Sequence, residues 1–412
     1  MSRNDVLTAP RPYRIPFPDR TRALGRVADL LHERRAEVLR ILCETSNHRT
    51  AAGEIDAAIG ALRGAEAEVL RFRPPAVARI AVLMPSNIPL YGYVLYLLVP
   101  GLYAERVEFR PSGRIAAQTE RLHKLLGTAH DLPLTLSATG QRAFLDGPAA
   151  DADVVVFTGA FDNAEAIRGR LTKRQLFLYF GQGVNPFVVG PDADLGRAVD
   201  GAVRARMLNS GQDCFGPDVF LVHDRVADRF RALLCGRVEG LRHGAYDDPG
   251  ADYGSLYYPD AFRAALDHLH DHRARIATGG RADLAERHLS PTVLVRPADT
   301  PVRPPELFAP IFDVVPYTDD AWLRTLLTHP YFEERAMAAT VYGDDPGLVD
   351  LLRRRHTVSV NETLIDIEDG NAPFGGRGVR ANYASVGGTR HTGPLLVSKA
   401  VADHVRPAGD PR

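Results

Sequence analysis

Two hydrophobic periods run along this chain and divide it. Leu24, Val27, Leu31, Val38 and Leu42 fall on one helical face over residues 20–43, and Ile55, Ile59, Leu62 and Val69 do the same in a second run. Then the period changes. Short β-rich runs, "ARIAVLM" (78–84), "RVEF" (106–109), "DVVVF" (153–157) and "LFLYF" (176–180), alternate with the helical stretches "YGYVLYLLVPGL", "AAQTERLHKLL" and "NAEAIRGRL". Such alternation predicts βαβ units and a mostly parallel sheet.

The alternation then starts again. "PFVVG" (186–190) leads into "LGRAVDGAVRARML", and "VFLVH" (219–223) into "VADRFRALLCGRV". "TVLVRP", "FDVVPY", "AATVYG" and "VSVN" follow, with the helices "DAWLRTLLTH" and "GLVDLLRRR" among them. A second α/β unit is therefore expected, ending near residue 388. The tail "TGPLLVSKAVADHV" predicts an extra strand or short helix, and an unpaired terminal strand invites a partner chain.

Composition narrows the classes. The 412 residues are 45% hydrophobic and 25% charged, an ordinary globular balance with length for two or three domains. A formal net charge of −1 provides no drive toward nucleic acid or an anionic membrane. The N-terminus lacks the apolar core of a signal peptide. The longest apolar stretch, residues 91–104, is interrupted by Pro100 and Gly101, which fits a buried helix better than a membrane span. Three cysteines, an odd number in a long chain, fit a reducing compartment. A cytoplasmic protein is expected.

The candidate chemistry centres on one of those cysteines. Cys43 and Cys235 sit in apolar helical patterns and read as small buried hydrophobes. Cys214 sits instead in "NSGQDCFGPD" (209–218), among polar residues and glycines. No phosphate loop of the G-x-x-x-x-G-K-[ST] type occurs, "GQG" at 181–183 is too short to be a dinucleotide fingerprint, and no G-x-S-x-G elbow is present. His268 and His272 lie one helical turn apart, but with no accompanying carboxylate or cysteine cluster they read as a solvated face, and no metal is expected.

Several separated stretches complete one pattern: "MPSNIP" (84–89), "FRPSG" (109–113), "VVFTGA" (155–160), "NPFVVGPDADL…NSGQDC", "PELFAPIF" (305–312) and "NAPFGGRG" (371–378). In this order and spacing, from about residue 20 to residue 400, the chain resembles the NAD(P)-dependent aldehyde dehydrogenase superfamily. The resemblance implies a Rossmann-like cofactor domain over 1–183, an α/β catalytic domain over 184–388 and an association tail over 389–412. It implies Cys214 as nucleophile and Asn87 as the amide that helps hold the oxyanion. For the cofactor it implies Pro85 after the first strand and Arg110, Pro111, Ser112 and Arg114 near the adenosine ribose. Phe157, Thr158, Gly159 and Ala160 would lie under the pyrophosphate, with Glu306 and Phe308 at the nicotinamide.

These residue types suit that chemistry. A thiolate attacks a carbonyl without a strong base, and its pKa of about 8.5 can be tuned lower. Fixed amide donors hold the resulting oxyanion, each contributing about 3–4 kcal/mol. Gly211 and Gly216 are expected to let backbone approach the substrate.

The sequence also departs from the family. Hydrolytic members usually carry a glutamate before the N-P-F stretch to activate water. Here that stretch reads "YFGQGVNP", with Phe180, or Tyr179 if one residue is inserted, at its position. Losing a general base costs about 10²–10⁴ in rate. A thiol acceptor needs less help, so acyl exchange with coenzyme A or a carrier protein is favoured, unless Asp213, Glu362 or Glu368 supplies the base. Two rival readings remain: a hydrolytic aldehyde dehydrogenase, and a non-catalytic acyl- or nucleotide-binding relative. Gly113 stands where NAD-preferring members often place a glutamate, and Arg114 follows it, which favours NADP(H) with NAD(H) as the alternative. The family's hairpin before "ARIAVLM" is reduced to "RFRPPAV", so a homodimer is expected rather than a tetramer.

Overall fold

A computed structural model describes residues 13–405. The start of the N-terminal stretch and the end of the tail, both read above, lie outside the described residues.

The first helical run is two helices, Thr21–Glu33 and Arg35–Leu42, broken at Arg34 where φ is −101°. The helix His48–Phe72 follows, capped by the Asn47 side chain, which accepts from the Thr50 N–H at 2.9 Å. Its end is sharp. Arg73 takes a left-handed φ of 59°, and the chain enters a strand four residues later.

The first sheet contains β1 (Val77–Leu83), β2 (Ala104–Arg110), β3 (Leu134–Leu136), β4 (Val154–Thr158) and β5 (Leu176–Phe180), all parallel, in the spatial order β3-β2-β1-β4-β5. The strand order reverses direction between β1 and β4, and a crevice for ligands opens at the carboxyl ends of strands at such a point. The apolar run after β1 is helical and buried, as expected. It changes from α (Pro89–Tyr93) to π (Val94–Leu98), with the Val99 N–H donating to the Val94 carbonyl, before Pro100 stops it.

The second sheet contains β6 (Pro186–Val189), β7 (Val219–His223), β8 (Ile276–Thr278), β11 (Thr292–Val295), β12 (Ile311–Tyr317), β13 (Ala338–Tyr342) and β14 (Thr357–Val360). Between β8 and β11 comes the small ribbon of β9 (Ala282–Asp283) and β10 (His288–Leu289). The order is β14-β13-β6-β7-β12-β11-β8, with only β8 antiparallel. The expected α/β class and both units are therefore present, with apolar clusters on both faces of each sheet.

The expected boundary at residue 388 is displaced. β15 (Asn382–Val386) pairs antiparallel with β5, so the chain has returned to the first sheet before the second unit was expected to end. β16 (Thr389–Thr392) forms a hairpin with β15 through Gly387 and Gly388, whose φ values of 63° and 87° suit a tight turn. Within the described part of the tail, the helix Val397–His404 packs on the helix His48–Phe72. Glu68 holds that contact. Its buried carboxylate accepts from Asn371 Nδ2 at 2.8 Å and from the Ser398 hydroxyl. Among the described residues no helix is long and apolar enough to cross a membrane.

Glu68→Ala leaves two donors short of an acceptor, and should lower stability by about 1–3 kcal/mol. Hydrogen exchange should quicken in Val397–His404 more than elsewhere. Unchanged exchange there would show that apolar packing alone docks the tail.

Candidate active site

The polar residues around Cys214 are structural. Asn209 and Ser210 take left-handed φ values of 46° and 60°, a conformation costly for residues other than glycine. Hydrogen bonds hold them there: the Asn209 N–H donates to Thr50 Oγ1 at 2.8 Å, and Ser210 Oγ accepts from the Gly254 N–H at 2.9 Å. Gln212 Oε1 accepts from the N–H groups of Tyr257 and Tyr258. Asn185, of the N-P-F stretch, donates through Nδ2 to the Cys214 carbonyl at 2.7 Å and to the Gly216 carbonyl at 3.2 Å. The cysteine loop is thus fixed from four sides.

Arg206 forms the centre of this arrangement, and sequence reading missed it. Fully buried at the end of the helix Leu195–Arg206, it donates to the carbonyls of Gly211, Pro217, Leu307 and Ala309. Its counter-charge Asp218 lies 4.0 Å away and accepts from the Asn185 N–H. The glycines serve this packing rather than substrate approach, which corrects the expectation. A Cβ on Gly211 would lie 2.4 Å from the Ala309 carbonyl, and one on Gly216 would lie 2.8 Å from Arg206.

Cys214 and Asn87 line one cavity of about 620 Å³ between the two units. Asn87 is in the turn after β1, before the short helix whose Leu90 and Tyr91 N–H groups donate to Glu54 Oε1. Phe180, at the end of β5, forms part of the wall with its ring centroid 5.2 Å from that of Tyr96. Tyr179 is buried elsewhere and donates to the Arg380 carbonyl, so Phe180 is the residue facing the cavity where the usual glutamate was sought. Of the three substitutes considered, Glu362 is exposed, Asp213 accepts from the Phe215 N–H at 2.8 Å, and Glu368 accepts from the Tyr91 hydroxyl. Glu54, not considered, also borders the cavity. Its Oε2 has no hydrogen-bond partner among the described residues, and burial pushes it up to about 7. Nothing in the pattern around "AAGEIDAA" distinguishes this glutamate from a solvated one.

The thiol is not tuned downward. Burial pushes Cys214 well above the usual thiol value, and the carboxylates of Asp213 and Glu306 add to the rise. Glu306 is itself raised to about 8, chiefly by burial and then by Asp218. Both effects on Cys214, burial and the neighbouring carboxylates, favour the protonated thiol over the thiolate.

The expected cofactor residues gather at the carboxyl edge of the first sheet. Pro85 lies just after β1, Arg110 ends β2 with Pro111 and Ser112 after it, and Phe157 and Thr158 end β4 with Gly159 and Ala160 after it. Two features fit a dinucleotide. Thr158 Oγ1 is buried without a hydrogen-bond partner, and a Cβ on Gly113 would meet nothing within 4 Å. Gly159 is required by packing, since a Cβ there would lie 2.8 Å from the Phe157 ring. Gln182, dismissed with "GQG", spans the site: its Nε2 donates to Glu306 at 3.0 Å, and its Oε1 is 3.4 Å from the Phe161 N–H. Phe308 packs near Tyr258. The two arginines are engaged: Arg110 donates to the Thr139 and Pro111 carbonyls, and Arg114 pairs with Asp260. His268 is also corrected. It is buried, stacked on His272 and 3.8 Å from Asp313, not on a solvated face.

The family model described as the aldehyde dehydrogenase family matches residues 136–384. The chain belongs to that family. It is 28% identical over 301 residues to a 4,4'-diapolycopene-4,4'-dial dehydrogenase of Cytobacillus firmus, covering 70% of this chain and 65% of that protein. It is 31% identical over 230 residues to a succinate-semialdehyde dehydrogenase [NADP(+)] of Escherichia coli (strain K12), covering 53% and 46%. The alignments thus span less than two thirds of either relative. The crystal structure of a glyceraldehyde-3-phosphate dehydrogenase from Methanocaldococcus jannaschii complexed with NADP superimposes with a TM-score of 0.79 at 19% identity, over 94% of this chain and 89% of that one. The aldehyde dehydrogenase fold is therefore retained through both units.

Two outcomes follow from this geometry. Arg206→Met strands Asp218 and four carbonyls, and should cost about 3–5 kcal/mol in unfolding experiments; a loss below about 1 kcal/mol would contradict the central role of Arg206. Alkylation at Cys214 by iodoacetamide, mapped by mass spectrometry, should rise about tenfold per pH unit through pH 9, because a raised pKa keeps the thiolate fraction growing. A plateau setting in just above pH 9 would mean an ordinary thiol, and one near pH 8 a thiol tuned downward.

Proposed function

We propose that this aldehyde dehydrogenase family member interconverts an aldehyde and an acyl thioester, with Cys214 as nucleophile and a nicotinamide dinucleotide as redox partner. The observation that carries the reading is the cavity wall: Cys214 and Asn87 share one chamber, and the apolar ring of Phe180 faces it where a water-activating carboxylate is usual.

In the oxidative direction the Cys214 thiolate adds to the carbonyl carbon. The oxyanion so formed is held by the Asn87 side-chain amide. A bound nicotinamide supplies the hydride acceptor, or the donor in reverse. Loss of hydride leaves a thioester on Cys214, and an incoming thiol takes the acyl group and returns the cysteine thiol. Thr158 and Gln182 would line the dinucleotide's path, with Glu306 at its nicotinamide end. NADP(H) is the proposed form and NAD(H) the alternative. The open space beside Gly113 supports room for a 2′-phosphate, which Arg114 could meet only by leaving Asp260.

A second reading, hydrolysis to the free acid, is favoured by one observation. Glu54 offers a buried carboxylate oxygen with no partner at the edge of the same cavity, and its raised pKa suits a proton acceptor near neutral pH.

The deciding measurement incubates the protein with an aldehyde and NADP⁺, with and without coenzyme A, and identifies products by mass spectrometry. Acyl thioester as the main product supports the proposal, and free acid formed at the same rate without a thiol defeats it. In the same assay Cys214→Ala should abolish turnover and Asn87→Ala should lower it by about 10²–10³.

A further inference from the structure

The cavity also bears on which aldehyde or acyl group the protein takes, an inference that rests on Cys214 being the reacting thiol. Away from Cys214 its walls are mainly apolar: Ile88, Leu95, Met207, Leu208, Leu395 and Leu396. Thr50, Gly53, Glu54 and Ala57 border it from the helix His48–Phe72, spaced three, one and three residues apart on a single face. Gly53 is informative. Glycine inside a helix costs about 1 kcal/mol relative to alanine, and no turn or positive φ calls for it here. A Cβ at Gly53 would meet nothing within 4 Å. Gly53 is exposed, so the helix backbone borders the open mouth of the cavity, and Ala57, one turn on and half-buried, widens the same strip.

The size is also informative. At about 30 Å³ for each water-sized volume, 620 Å³ amounts to about twenty such volumes, and a methylene takes about the same room. The charges point the same way. Among the described residues bordering the cavity the cations are Arg49 and Arg204. Both side chains are largely exposed, and they pair with Asp252 and Asp366 respectively. The remaining charged groups on the walls, Glu54, Asp213, Glu368 and Asp369, are carboxyl groups and would repel a second carboxylate on the substrate.

We propose that the site takes an aldehyde or acyl group on a long apolar chain, about ten carbons or more, lying along the Gly53–Ala57 strip, in preference to short semialdehydes that carry a carboxylate.

The test is a chain-length series. kcat/KM for unbranched alkanals from three to fourteen carbons, at saturating cofactor, should rise about 4-fold per methylene through the middle of the series (about 0.8 kcal/mol each). Succinic semialdehyde should lie at least 100-fold below dodecanal. Gly53→Leu, which improves helix propensity, should cut kcat/KM for dodecanal at least 10-fold and leave butanal within about 2-fold. Ala57→Leu is the second variant should the first fold poorly. A flat series, a preference for succinic semialdehyde, or dodecanal turnover untouched by both variants would overturn the assignment.

Binding separates this outcome from that of the chemistry. In the Cys214→Ala protein, dodecanal should bind by calorimetry and Gly53→Leu should weaken it at least 10-fold. Such binding without turnover of any aldehyde would support the pocket and defeat the proposed reaction. Turnover of short aldehydes without chain dependence would do the reverse.

Discussion

The Arg206 guanidinium holds the whole arrangement together. One planar cation, excluded from water, donates to carbonyls on both sides of Cys214 and to the segment just after Glu306. The Cys214 loop and the strip proposed to lie against the nicotinamide are thus fixed to the same five N–H groups. Both positions depend on a buried charge whose counter-ion, Asp218, is 4.0 Å away. Arginine suits this role because its fork of donors is rigid and does not lose its proton.

That cation is outnumbered. Asp213, Asp218 and Glu306 are buried around it, each with its carboxyl pushed up from the ordinary value, and together with burial they raise the Cys214 thiol. An environment of this sign favours the protonated sulfur over the thiolate. A positively charged ring placed beside it would favour the thiolate.

Much of this was legible in the sequence because the periods were clean. Every β-rich run singled out from 78 to 180 is a strand, and the switch to a second α/β unit was visible at "PFVVG". The unusual setting of Cys214 was visible too, and the cavity does join it to Asn87. What escaped depends on long-range contacts. Arg206 lies in "RAVDGAVRARML" and looks like any helix-end arginine, yet its partners are up to 103 residues away. Glu54 reads as a surface glutamate until the turn after β1 folds over it. Gly211 and Gly216 suggested an open backbone, whereas the space beside them is filled by Ala309 and Arg206. The return of β15 to the first sheet was hidden because pairing partners 200 residues apart leave no local trace.

That return affects how the molecule is made. β15 and β16 complete the edge of a sheet whose other strands were synthesised much earlier, and Asn382 and Leu395–Val397 close one side of the chamber. During translation the cysteine loop and the five parallel strands of the first sheet all precede the segment that seals them. Until then β5 has an unpaired edge and the greasy chamber is open, so residues 382–397 act as the closing stitch of sheets that are otherwise already paired.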